Sequence, residues 1–406
     1  MSDFKLLFAT RIVRMFAYGS LSVVLLLYLA ACGFTEAESG ALLTLTLIGD
    51  TCISLWMTAN ADRIGRKKML ILGALLMLAA GIVFAYTHNF FILLIAAAIG
   101  VISPSGNEVG PFLSIEQAAL TQTIESQRRT QIFAWYNLAG SFATAVGALA
   151  AGAFSQFLQH QGWTAINSYR AIVIGYAILG LLLFIMFQQL SKSIEIAPSE
   201  KPEGLKVRWG LHRSRNIVLK LSALFAMDAF AGGFIMQSII AYWFYKRFGL
   251  QPAALGTLFF FANILAGFSA LAAARLASRI GLIRTMVFTH IPSNIMLIMI
   301  PFMPNVSLAV GVLLLRFSIS QMDVPTRQSY LMAVVSPDER SAAAGITGIA
   351  RSIGASLSPV LAGTMMSIAA LFSAPFFLAG GLKVVYDLLL YRNFKSTRPD
   401  EELLTK

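Results

Sequence analysis

Several side chains that can carry charge or a proton stand deep in long apolar stretches of this sequence. Arg14, Asp50, Asp228, Arg316 and Arg351 each lie roughly ten residues from the nearest end of their stretch, about 15 Å along a helix. An ionisable group at the centre of a bilayer costs at least ~2.5 kcal/mol, so such groups are either paired or act on a passing ion or solute. Two chemistries fit: a fixed lattice of ion pairs between helices, and a titratable site for protons or a charged solute. The segment Ser103-Pro104-Ser105-Gly106-Asn107-Glu108-Val109-Gly110-Pro111 packs two prolines and two glycines into nine residues and cannot be a straight helix. Ending the span at Ile102 would leave too short a stretch to cross, so the break is expected inside the membrane, where irregular backbone survives only beside a cavity. Asn107 and Glu108 are thereby candidates for binding or protonation. Arg316 and Asp323, seven residues apart, are expected to share one face of a helix two turns apart. Tyr136 and Asn137 are further candidates for solute contact. Arg11, nearer a helix end, is expected to snorkel to the surface, and His290 to serve structure.

The elements that must position these residues are membrane helices. Of 406 residues 57% are hydrophobic and only 12% charged, where a soluble domain carries roughly 25% charged, which excludes a large soluble catalytic domain. Spans read at 7 to 32, 39 to 60, 68 to 87, 90 to 121, 130 to 157, 169 to 190, 217 to 246, 252 to 276, 283 to 303, 306 to 334, 339 to 368 and 371 to 392. Residues 191 to 216 hold Pro198, Pro202, Gly204 and a dense charge mixture that reads as a cytoplasmic linker. The predicted organisation is a bundle over 1–190, the linker over 191–216, and a second bundle with a short tail over 217–406. The stretch ending in Leu29-Ala30-Ala31-Cys32 mimics a lipoprotein cleavage signal, but its length suits a retained first helix.

Charge placement gives orientation. With a cytoplasmic N-terminus, the outward loops carry only Arg170, Lys246 and Arg247 of the 31 Lys and Arg, so the net charge of +12 is mostly positive-inside bias. No nucleic-acid partner is expected, and both termini are placed in the cytoplasm of a plasma (cell inner) membrane. The linker's basic stretch Leu205 to Arg213 belongs to the same bias. The two cysteines, Cys32 and Cys52, sit in apolar runs and support neither a disulfide framework nor a metal site. No cofactor, no metal and no catalytic constellation is expected, so the chain reads as a transporter rather than an enzyme.

The halves repeat. At a shift of 216 residues Gly33 meets Gly249, Gly40 meets Gly256, Arg63 meets Arg279, Gly65 meets Gly281 and Lys68 meets Arg284; at 211, Gln117 meets Gln328, Arg129 meets Arg340 and Gly152 meets Gly363. Six spans per repeat make the repeats parallel. In the second register Glu116 corresponds to Arg327, and the pair is expected to form an inner gate.

Six plus six parallel spans with the loop Asp62-Arg63-Ile64-Gly65-Arg66-Lys67-Lys68, and its degenerate copy Ser278-Arg279-Ile280-Gly281, resemble the major facilitator superfamily over the whole chain. The chain departs from that family at Thr58, where a glycine is usual, and in Gly147-Ala148-Leu149-Ala150-Ala151-Gly152, which keeps the first and last glycines of the helix 5 motif of antiporters, Gly-Pro-x-x-Gly-Gly, but lacks its proline. Its helix 11 counterpart, Ser358 to Gly363, keeps the proline. The resemblance implies an all-α fold of twelve transmembrane helices in two six-helix bundles, with helices 1, 4, 7 and 10 lining the cavity. It also implies a cytoplasmic latch between Asp62 and the start of helix 11, where Ser336-Pro337-Asp338-Glu339 suggests an N-cap followed by Arg340. Asp62, Arg63, Gly65, Arg66, Glu116, Arg327, Asp338, Glu339 and Arg340 form the expected gate. Arg14, Asp50, Asn107, Glu108, Asp228, Arg316, Asp323 and Arg351 form the expected substrate and proton site.

The implied function is secondary active transport by alternating access in a monomer embedded in the lipid bilayer. Proton-coupled export of a small organic solute leads. Uptake or exchange of an organic anion, favoured by the cavity arginines, and a sensor without flux are the alternatives.

Overall fold

The computed structural model describes residues 2–108, 110–123, 129–195, 211, 213–336 and 339–395. Asp338, Arg128, most of the 191–216 linker and the tail from 396 lie outside the described residues, and of Arg129 only the backbone is described.

Every regular element among the described residues is helical. In chain order they are α1 (Asp3–Ala31), α2 (Glu36–Ile64), α3 (Arg66–Tyr86), α4 (Phe90–Ile99), α5 (Phe112–Thr123), α6 (Arg129–His160), α7 (Ala165–Gln188), α8 (Arg215–Gly233), α9 (Gln237–Phe248), α10 (Pro252–Ile280), α11 (Leu282–Met299), α12 (Val306–Phe317), α13 (Asp323–Val334), α14 (Arg340–Met366) and α15 (Ala374–Phe394). Nine helical stretches among the described residues are long and apolar enough to cross a membrane. Each span read from sequence is matched by one helix or by two short ones. The fourth is broken between α4 and α5, as its prolines and glycines require. The seventh and tenth are broken as well, between α8 and α9 and between α12 and α13, which the sequence reading took as continuous. The causes are local. Gly232 and Gly233 end α8, and Pro325 can neither donate to residue 321 nor tolerate its carbonyl, so α13 cannot extend backwards through Gln321.

The irregular backbone of the fourth span is satisfied in place. Tyr176 donates its hydroxyl to the Val101 carbonyl, Ser238 N donates to Pro104 O at 3.2 Å, and Ser103 Oγ donates to Asn107 O at 2.7 Å. Gly106 and Gly110 take φ of 70° and 81°, conformations that disfavour any other residue.

Packing divides the chain into two compact units. Unit 1 is Met1–Leu205 with Met236–Phe260, and unit 2 is Lys206–Ile235 with Phe261–Lys406. Within unit 1, α1 is buried on nearly every side, as a helix apolar all round must be, and runs against α6 and α7. The approach to α6 depends on absent side chains: a Cβ on Gly19 would lie 2.1 Å from Thr144 O, and one on Gly147 2.1 Å from Phe16 O. Within unit 2, α8 runs against α14 in the same way, with Gly354 set against the Ala226 carbonyl at 2.2 Å from a built Cβ. Small residues at helix contacts are the usual means of close packing in lipid. The repeat appears in backbone geometry too. Gly33 and its counterpart Gly249 have φ of 92° and 67°, and Gly65 and Gly281 have 123° and 87°.

These contacts give a differential expectation. Gly147→Val drives a side chain into backbone that cannot yield, and should lower the thermal midpoint of the detergent-solubilised protein by the equivalent of about 1–3 kcal/mol. Gly175→Ala, where a Cβ meets nothing within 4 Å, should be neutral or slightly stabilising. Equal midpoints for the two variants would refute the packing account.

Candidate functional site

In unit 1 the break of the fourth span delivers two carboxylates to α1. Arg14 Nη1 and Nη2 donate to both oxygens of Glu116 at 2.8 and 2.7 Å, and its Nε to Glu108 Oε1 at 2.8 Å. Arg11 Nη1 donates to Glu108 Oε2 at 2.6 Å, its Nε to Tyr136 O at 2.9 Å and its Nη2 to Asn137 Oδ1 at 3.2 Å. Thr10 Oγ1 donates to Glu116 Oε1 at 2.9 Å, and the Tyr136 hydroxyl to Glu116 Oε2. Phe112 and Tyr136 supply ring faces to the Arg14 and Arg11 guanidinium groups, at 4.6 and 4.3 Å. Two arginines and two glutamates thus neutralise one another, and Arg14 and Glu116 are wholly shut from solvent. Arg11 does not snorkel as expected: it is 5% exposed, because Glu108, Asn137 and the Tyr136 carbonyl offer it better partners than the membrane surface. Asn107 is exposed. Asp50, on α2, has Ser54 Oγ at 3.4 Å and no ion pair among the described residues.

In unit 2 the deep charges form a chain. Lys383 Nζ donates to Asp228 Oδ1 at 2.5 Å, and Arg327 Nη1 to Asp228 Oδ2 at 3.0 Å and to Asp323 Oδ2 at 3.2 Å. Asp387 Oδ1 lies 2.9 Å from His290 Nδ1, and its Oδ2 accepts Asn294 Nδ2 at 3.2 Å. Two expectations are corrected here. Arg316 and Asp323 do not share one helix, because the chain turns between Phe317 and Asp323, and Asp323 pairs with Arg327 one helical turn on. Glu116 and Arg327, expected to face each other as a gate, are each neutralised inside their own unit, Glu116 by Arg14 and Arg327 by the two aspartates.

Arg316 and Arg351 lie within electrostatic reach of Asp323, and Arg351 of Asp228 and Arg327 as well, but no hydrogen bond joins either to the network among the described residues. The Nε of each is buried with no hydrogen-bond partner, and neither side chain forms an ion pair among the described residues. The Arg316 guanidinium rests 5.3 Å from the Phe317 ring. The deep cations of unit 2, Arg316, Arg327, Arg351 and Lys383, exceed its deep carboxylates, Asp228, Asp323 and Asp387, by one charge. Such a surplus in a low-dielectric setting favours an anionic guest.

At the loop between α2 and α3, Asp62 Oδ1 accepts Arg66 Nε at 2.8 Å and stays half-exposed, while Arg63 is exposed. Gly65 makes the turn. Arg66 also donates from Nη1 to Ala118 O and Ile194 O, both at 3.1 Å. Glu195, absent from the sequence-based candidates, closes the start of α3 by accepting Arg66 N at 2.8 Å and Lys67 N at 3.1 Å. The cap expected at Ser336 to Glu339 takes another form. Glu339 is itself the N-cap of α14 without a side-chain cap bond, and its carboxylate instead accepts Arg213 N and Ser214 N, both at 2.9 Å, at the start of α8. Arg340 is exposed. Thr58, in place of the usual glycine, lies with its Oγ1 3.0 Å from Ser114 Oγ.

Lys383 and Asp387 were missed in the sequence although both interrupt the apolar run of the last span one turn apart, the same signal that marked Asp228.

The family model described as Major Facilitator Superfamily matches residues 7–359. An uncharacterised membrane protein of Saccharomyces cerevisiae is 31% identical, the match covering 96% of this chain and 93% of that protein. Among solved structures, the nucleoside transporter NupG is similar with a TM-score of 0.77 at 14% identity, over 98% of this chain and 100% of that one. A D-xylose-proton symporter is similar with 0.73 at 14% identity, over 96% and 97%. At that identity these two likenesses speak for the fold alone. With most of its length matched to the family, a relative that is a membrane protein and a fold shared with solved transporters, this chain belongs to the major facilitator superfamily.

Proposed function

We propose that the chain is a proton-coupled secondary transporter of a small organic anion, working by alternating access with both termini in the cytoplasm of the plasma membrane. The observation that carries the anion is the pair Arg316 and Arg351, whose Nε atoms are buried without an acceptor. A buried donor is costly unless something accepts its hydrogen bond, and a carboxylate or phosphate on the solute would do so. Transport by two repeats of six spans accords with the shared positive-φ glycines of the repeat and with breaks in the fourth, seventh and tenth spans, where carrier sites commonly form. Asp62, Arg63, Gly65, Arg66, Glu339 and Arg340 remain the proposed cytoplasmic gate.

Export rested on the glycines of the helix 5 remnant. Gly147 and Gly152 are both used for contact, Gly147 against Phe16 O and Gly152 against Pro252 O, 2.3 Å from a built Cβ. Packing accounts for them without reference to direction, so the anion reading leads.

The test is uptake into proteoliposomes holding the purified chain, with an inward proton gradient. Probes are radiolabelled lactate, succinate, citrate and glucose 6-phosphate, with uridine and xylose as uncharged comparators. Accumulation of an anion, abolished by collapsing the gradient, supports the reading. Accumulation of uridine or xylose with no anion moved would overturn it.

A further inference from the structure

Among the buried titratable groups of unit 2, one pair has no part in the solute site described above. His290 on α11 and Asp387 on α15 meet at 2.9 Å, at 4% and 0% exposure. We propose that His290 and Asp387 form the proton-binding site of the transport cycle, taking up one proton at His290 Nε2 while Nδ1 stays hydrogen-bonded to Asp387. The proposal rests on the proton-coupled reading given above and moves the coupling group away from the cavity carboxylates Glu108, Asp228 and Asp323.

Three observations lead there. First, the expected carboxylates are occupied. Glu108 is shared by Arg11 and Arg14, Asp228 by Lys383 and Arg327, and Asp323 by Arg327, so protonating any of them would break ion pairs already formed. Second, Asp387 has no permanent cation bonded to it. Lys383, one turn away on the same helix, gives its ammonium to Asp228, and among the described residues His290 is the group within ion-pair distance of Asp387. An imidazolium at position 290 would supply the missing counter-charge, and imidazole is the side chain whose unperturbed titration falls nearest neutral pH. Third, Asn294, which holds the second oxygen of Asp387, keeps its own Oδ1 buried with no hydrogen-bond partner. That acceptor gives an arriving proton carrier a polar foothold beside the pair.

Titratable and charged groups come from each helix packed against α11 and from α8. They are Lys383, Tyr386 and Asp387 from α15, with the Tyr386 ring at 6.1 Å and perpendicular; Asp228 from α8, within electrostatic reach; and Asp323, Arg327 and Tyr330 from α13. Arg316 is the charge of α12. Arg284, Lys220 and Arg392 on these helices are exposed. The step is a proton transfer: hydronium in the water-filled cavity gives up one O–H bond, its electron pair staying on oxygen as water leaves, one N–H bond forms at Nε2, and the charge of the network rises by one. Its leverage lies in the helices it touches. Asp228 and Arg327 sit on α8 and α13, the half-helices of two broken spans, whose free ends can move without melting a whole span.

The full chain, labelled with 15N-histidine and held in lipid nanodiscs, tests this in two measurements. Ring nitrogen spectra between pH 8 and pH 5.5 should show one buried imidazole gaining a proton. His290→Gln should delete that signal, and Asp387→Asn should leave the ring neutral throughout the range. Spin labels at the exposed positions Lys68 and Arg284, in a background lacking Cys32 and Cys52, should show a distance distribution that shifts over the same range in the parent and stays fixed in His290→Gln. A ring at position 290 that never changes state would overturn the proposal, as would a titrating ring with unmoved distances. Both variants keep a hydrogen-bonding group, and gel filtration with circular dichroism verifies folding. If no probe is transported yet ring and distances respond, the transport reading has failed while the proton site stands.

Discussion

Arg14→Ala should remove folded protein from the membrane. The change strips Glu116 of both its guanidinium bonds and Glu108 of one, in a position with no solvent. Breaking a buried pair from one side typically costs about 3–5 kcal/mol, because the surviving charge is left uncompensated. Against a total stability of about 5–15 kcal/mol, that is enough to empty the monodisperse peak in fluorescence-detected gel filtration. Removing the charge from both sides should reverse most of it: Arg14→Met with Glu116→Leu leaves Arg11 and Glu108 as a closed pair and should restore the peak. A normal peak and midpoint for Arg14→Ala would show that the lattice does not hold unit 1 together.

The opposite pattern is expected in unit 2. Arg316→Met and Arg351→Met should each reduce anion uptake about 100-fold or more, a loss of roughly 3 kcal/mol, within the usual range for truncating one partner of a desolvated charge pair. Folding should be unharmed or improved, because each change deletes a cation whose Nε is buried without a hydrogen-bond partner and that forms no ion pair among the described residues. Uptake in proteoliposomes and thermal midpoints in detergent, measured on the same preparations, separate the two outcomes. A fall in midpoint equal to that of Arg14→Ala with uptake per folded molecule intact would make these arginines structural and remove the basis of the anion reading.

Much of the architecture could be read from residue types. The apolar runs gave the spans because backbone in lipid must bond to itself, and two of the glycine pairs matched by the repeat, Gly33 with Gly249 and Gly65 with Gly281, share an uncommon backbone conformation. Chemical oddity also revealed the fourth-span break, where two prolines and two glycines crowd together. The breaks near Gly233 and before Pro325 were harder to see, since the surrounding residues keep the run apolar and a single proline within a span is often only a kink. Pairing was the least legible layer. Arg14 and Glu116, or Lys383 and Asp228, lie far apart in sequence, and their contact depends on how helices rotate about their axes. Symmetry suggested Glu116 with Arg327, but each is paired within its own unit, because a buried charge is satisfied by whatever opposite charge its own packing brings close.

The broken spans also bear on how the chain enters a membrane. The α4 helix has 10 residues and α5 and α12 have 12 each, lengths of about 15–18 Å against a hydrocarbon core of about 30 Å. None can be recognised and released into lipid alone, and α8 and α13 also carry Asp228, Asp323 and Arg327. During synthesis these segments must wait beside the insertion channel until later helices bring their counter-charges. Asp228 waits for Lys383, more than 150 residues downstream, so the second half of the protein can settle only when the last helix has been made. Nascent chains cut short before α15 should remain sensitive to extraction by alkali, where the completed chain resists it.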